Sequence, residues 1–169
     1  HAGHVHRIGR QPAAQRALPA IPSTRAPRLP PGAADLAATL DAPITPAIQA
    51  QADALGRQPV AIFEWVRKQI AFVPSAGSLQ GAAGTLETRR GNAADQASLL
   101  IALLRASGVH SRYVIGNIEM DAARMQRWLG VDSIAAVTEL YTEGGIPFET
   151  VLSGGAVSAL RFQHVWVEA

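Results

Sequence analysis

At 169 residues the chain has room for one domain with a sizeable core and little room for a second. With 48% hydrophobic and 17% charged residues it is not wholly disordered. No apolar run approaches the ~18 residues of a membrane span, and the absence of cysteine excludes disulfides, thiolate zinc sites and a thiol nucleophile in this chain. The formal charge of +2 is unevenly spread, because residues 1–32 hold five arginines and no acid and leave the remainder mildly acidic. A basic excess in a segment without aromatic side chains to stack on bases argues against nucleic-acid binding. The 5% aromatic share favours helix-rich packing over an all-β sandwich.

Residues 1–32 also hold six of the eleven prolines, so they read as an extended or disordered linker leading into a domain over 33–169. His1, His4 and His6 within it read as solvated residues rather than a metal tract. The chain begins on His1 without a charged and then apolar leader, so a processed or cut amino terminus is expected. Thr45 and Pro46 open a helix that Gly56 ends. Pro59 opens another, with Val60, Phe63, Val66, Arg67 and Ile70 as its inward stripe and Trp65 on a flank. Residues 71–88, rich in Gly and Ser, read as a surface loop with Phe72-Val73 as a short strand. Next comes the clearest helix. Asn92 caps it, Asp95 follows three residues later, Ala97, Leu100, Ile101 and Leu104 share a face, and Gly108 closes it. Alternation predicts strands over Arg112–Glu119 and Leu160–Glu168, with a helix over Asp121–Leu129 and a loop over Gly144–Gly155.

Phosphate-cradling glycine loops, the paired histidines of zinc proteases and an elbow serine between glycines are all missing. What remains for chemistry is one helix amino terminus, whose first turn presents unpaired amides and the positive end of the dipole, and one strand histidine. Alone, Asn92 and Asp95 are ordinary capping residues, and a histidine between Phe162 and Trp166 is more often packed than catalytic.

The run Arg90-Gly91-Asn92-Ala93-Ala94-Asp95-Gln96 through Val109, continuing into Ser111-Arg112-Tyr113-Val114 and Gly116, resembles the nucleophile helix and following strand of the transglutaminase-like, papain-related superfamily. His164-Val165-Trp166-Val167-Glu168-Ala169 resembles its histidine strand, and the helices before the nucleophile are similar to those of bacterial members. The resemblance covers about Thr45 to Ala169 and implies an α+β, papain-like core with a helical amino-terminal part and a nucleophile helix packed on an antiparallel sheet. It implies cysteine-dependent acyl transfer or hydrolysis at glutaminyl or peptide amides, without a cofactor or metal. The position of its cysteine is Ala93, and its histidine is His164. The Ala93 amide, Asn92 and Trp166 are then the oxyanion and substrate-binding candidates, while Gln80 is a weaker oxyanion donor that the simple-loop reading outweighs.

With a methyl group at position 93 the chain is expected to be inactive. Either a cysteine was replaced, which the intact first turn and His164 favour, or the chain is a naturally dead binding or scaffolding module of a larger exported bacterial protein. A secreted or cell-envelope location fits that setting. The expected partners are a protein or peptide substrate and either the rest of a larger polypeptide or a second chain completing the sheet, whose last strand would leave a free edge. The aspartate that orients the histidine in the family is expected beyond Ala169.

Overall fold

The computed structural model describes residues 30–169. The tract His1, His4, His6 and all but the last three residues of the 1–32 linker lie outside the described residues. A 3-10 turn at Ala33–Asp35 leads to α1 (Pro46–Ala54), whose cap forms as expected: the Thr45 hydroxyl accepts from the Ile48 amide at 3.3 Å. In α2 (Pro59–Gln69) the inward positions are Ile62 and Val66, followed by Ile70, and not the expected stripe through Val60 and Phe63. Both of those are exposed, because the buried row runs at i and i+4 from Ile62 with Trp65 packed beside it.

Helix α4 (Ala93–Ala106) is buried nearly all round, with Leu99, Ile101, Ala102 and Leu103 wholly inaccessible. A helix that is buried on every side belongs at the centre of its domain, and α4 is packed by α1, α2, by α3 (Gly81–Thr88) and by the sheet. Burying each of those leucines contributes roughly 1.5–3 kcal/mol. Its far end is tied by Arg105, which is 7% exposed and donates to the carbonyls of Ala37 and Ser111.

Helix α3 corrects the expected loop over 71–88. Two glycines in eight residues give it little intrinsic helicity, but Gly81, Ala82 and Thr85 present small side chains that let it press against α4. Before it, β1 (Ala71–Phe72) lies one residue earlier than expected and pairs in parallel with β2 (Arg90–Gly91), placing Gly91 at the entrance of α4.

The main sheet is antiparallel, in the order β3 (Arg112–Asp121), β5 (Ala156–Glu168), β4 (Phe148–Ser153). The two expected strands pair with each other, with Arg112 opposite Glu168 and Gly116 opposite His164. Strand β4 corrects the expected loop over Gly144–Gly155. Its glycine flanks suggested a connection, yet Gly154 and Gly155, both at positive φ, form a two-residue hairpin that sets Ser153 opposite Ala156. The last strand is therefore the middle one and not the edge. On its β4 side, however, only Ala156–Phe162 are paired, and residues 163–168 have a strand neighbour on the β3 side alone among the described residues.

Between β3 and β4 the chain forms α5 (Ala122–Leu129) and α6 (Ile134–Glu143). These two helices build a second core of Met125, Val137, Tyr141, Leu160 and Phe162, separate from the first core around α4. Among the described residues no helix is long and apolar enough to cross a membrane. The architecture is thus α+β, with the central helix set against an antiparallel sheet and a helical amino-terminal part, as expected.

Candidate active site

The entrance to α4 is built by two side chains that grip one another and the preceding loop. Asn92 Oδ1 accepts from the Asp95 amide at 2.9 Å, while Asp95 Oδ2 accepts from the Asn92 amide at 3.4 Å. The other Asp95 oxygen accepts from the amides of Leu79, Gln80 and Gly81 at 3.0, 3.0 and 3.1 Å, so one buried carboxylate also caps α3. Asn92 Nδ2 donates to the Gly77 carbonyl at 2.7 Å and to Ser75 Oγ at 3.3 Å. Gly91 lets this staple close, since a Cβ there would stand 2.8 Å from Asp95 Cβ. With these bonds made, the amides of Ala93 and Ala94 remain without a hydrogen-bond partner among the described residues. They lie at the positive end of the α4 dipole, where a developing anion is stabilised.

A cleft of about 370 Å³ opens over this turn. Successive turns of α4 supply Ala93, Gln96, Ala97 and Leu100, α2 supplies Phe63, Val66, Arg67 and Ile70, and β5 supplies His164 to Val167. Phe72 and Trp128 complete the lining and stack on each other at 4.7 Å. That four consecutive residues of β5 face the same space means that its backbone edge, and not only one face, borders the cleft.

The cleft therefore brings Ala93, His164 and Trp166 together, as the sequence led one to expect, although they come from opposite ends of the domain sequence. Trp166 stacks beside His164 at 6.2 Å and lies across Gly116, where a Cβ would meet the indole at 2.9 Å. Asn92 is placed differently. Its side chain is buried and spent on the cap and the 75–77 loop, and it lines a separate cavity with Gln80 and Asp95. Gln80 donates to the Arg90 carbonyl in that same cavity and takes no part in the cleft. Sequence reasoning missed Phe63, Phe72, Gln96 and Trp128. Gln96 alone carried a local signal, one turn on from Ala93; the others depend on long-range packing.

Neither ring nitrogen of His164 has a hydrogen-bond partner among the described residues, and no carboxylate lines the cleft. Burial pushes the imidazole below its ordinary value of 6.5, which keeps the neutral, proton-accepting form. A depressed folded-state value means that stability is fully present above pH 6.5 and is lost as pH falls through the folded-state value. The melting temperature of this chain should accordingly fall more between pH 7.5 and 5 than that of a His164→Gln variant; parallel profiles would show that His164 does not carry the acid sensitivity.

A family model described as the transglutaminase-like superfamily matches residues 42–169. The match spans both α4 and β5, and with them every residue that lines the cleft. No curated protein and no solved structure matches the chain.

Proposed function

The chain belongs to the transglutaminase-like superfamily, a papain-like family of cysteine acyl-transfer or protease domains, and from that premise we propose that its cleft is a site for acyl transfer or hydrolysis at glutaminyl or peptide amides, silenced here by Ala93. The observation that carries the reading is the meeting of Ala93 and His164 around one cleft, at a helix terminus whose Ala93 and Ala94 amides have no partner among the described residues. With a cysteine at position 93, His164 would take the thiol proton and the thiolate would attack the amide carbonyl. The oxyanion would form against the Ala93 and Ala94 amides. As the C–N bond breaks, His164 would return the proton to the leaving amine, and the resulting thioester would pass to water or to a second amine. Asn92 holds the turn that presents those amides and does not itself donate to the oxyanion. Trp166 shields the imidazole and borders the acyl group. Alanine has no lone pair with which to begin this sequence, so the chain as it stands turns nothing over.

Ala93 in an otherwise intact cleft also favours a second reading, a binding or scaffolding module that holds a peptide without cleaving it. Under either reading a further strand, from the same polypeptide or from a second chain, is proposed to complete the sheet along residues 163–168 of β5, where it would form a wall of the cleft; the support is that half-paired edge.

The test compares this chain with its Ala93→Cys variant in amine incorporation into a glutamine peptide, ammonia release and peptide cleavage. Turnover in the variant alone is expected. A variant that turns over none of the three, while still binding peptide in the cleft, would support the module instead.

A further inference from the structure

We propose that Trp128 is a positioning residue of this site: reaching in from α5, it fixes the plane of the His164 imidazole, a task that no hydrogen bond among the described residues performs. The proposal rests on the acyl-transfer reading above. Three aromatic rings bound the imidazole: Trp128 edge-on at 6.0 Å and 77°, Phe162 at 6.4 Å and 90°, and Trp166 stacked at 6.2 Å and 20°. Phe162 and Trp166 are the alternate neighbours of His164 on its own strand, so their contacts follow from the strand itself. Trp128 comes from a different element, and its presence needs a separate account.

That account lies in how the indole is held. Phe72 of β1 stacks on it at 4.7 Å and 28°, while Met125, one turn earlier on α5, is wholly buried in the second core. The indole is thus held between Phe72 of β1 and Phe162 of the second core, on which it also stacks at 6.4 Å and 23°, and it remains 37% exposed where it lines the cleft. Its ring edge meets the imidazole, and it shares the cleft lining with Ala93. An imidazole free to turn about its Cβ–Cγ bond would spend only part of its time with a nitrogen aimed at the nucleophile position, and small misplacements of a catalytic group are costly. Arg67 of α2 is the one charged side chain lining the cleft, and it is paired with Glu64. The α4, β1 and α5 residues of the lining carry no titrating group, so the groups set around His164 in the cleft are rings rather than charges.

The experiment follows the His164 ring resonances by NMR in this chain, in Trp128→Leu, in Trp128→Phe and in Phe72→Leu. The signal is identified among the five histidines by its loss in His164→Gln. Trp128→Leu should keep a single cooperative melting transition, lowered by about 5 °C through the lost stacking on Phe72 and Phe162, but shift the His164 signal and move its titration midpoint closer to 6.5. Trp128→Phe should retain most of the parent position, and Phe72→Leu, which removes the brace, should shift the signal partway. In the Ala93→Cys background, Trp128→Leu should slow the His164-dependent alkylation of the thiol about tenfold. A His164 signal and titration unmoved by Trp128→Leu would overturn the proposal. Should that variant fail to fold, a signal unmoved by Phe72→Leu would do the same. If the cysteine is not activated even with Trp128 intact, the acyl-transfer reading falls, while the His164 signal in the alanine chain still decides whether Trp128 positions the ring.

Discussion

Ala93→Cys should yield a thiol that iodoacetamide alkylates with an apparent pKa at least one unit below the free-thiol value of about 8.5, and His164→Ala in the same background should return it to about that value. Two features of the site act on the thiolate. The amides of Ala93 and Ala94 have no other acceptor and stand at the end of fourteen aligned peptide units of α4. Such a terminus stabilises an anion by about 0.3–1 kcal/mol at an exposed position and by up to about 2 kcal/mol where partly buried. The second feature is His164. Burial alone holds its imidazole neutral, but a thiolate across the cleft would favour the imidazolium, so the two groups should titrate as a coupled pair. The alkylation profile should then show reactivity beginning below pH 7 and a step that disappears with His164. A thiol that titrates near 8.5 with and without His164 would mean that the two positions share a cleft without sharing chemistry.

Much of this site could be read from the sequence because its two halves are local. A capped helix entrance needs only Asn92 and Asp95 at the right spacing, and the alternation around Phe162, His164 and Trp166 sets those three on one face of a strand whatever surrounds it. The elements that stayed hidden draw their stability from elsewhere. Helix α3 exists because Asp95, fourteen residues downstream of Gly81, accepts its amino-terminal amides; its own residues favour a loop. The burial of Ile62 rather than Phe63 in α2 depends on where α4 lies, since either residue starts a plausible apolar row. Trp128 meets His164 only because α5 and α6 fold back over the sheet, a consequence of the second core that no spacing encodes. Strand β4 is the opposite case: the Gly154-Gly155 pair between Ser153 and Ala156 is itself a hairpin signal, and the glycines on either side of the strand masked it.

Asp95→Ala should destabilise the domain by about 3 kcal/mol or more, because it leaves up to four backbone donors without their acceptor. The carboxylate is 1% exposed and receives the amides of Leu79, Gln80, Gly81 and Asn92. Water can replace it readily at Leu79, whose surroundings are open, but not at buried Gly81 or Asn92. For a domain of this size such a loss lowers the melting temperature by about 10 °C, which thermal unfolding measures directly. Asp95→Asn keeps the volume and one acceptor oxygen while placing an NH2 group where a second acceptor stood, so it should cost less than alanine yet still more than 1 kcal/mol. The same carboxylate fixes the turn that presents the Ala93 and Ala94 amides, and stability and reactivity are therefore linked at this residue. In the Ala93→Cys background Asp95→Asn should raise the thiol pKa even at temperatures where the domain remains folded, because the amides lose their fixed aim before the helix is lost. A variant that melts lower but alkylates with an unchanged profile would separate the two roles and confine Asp95 to holding α3 against α4.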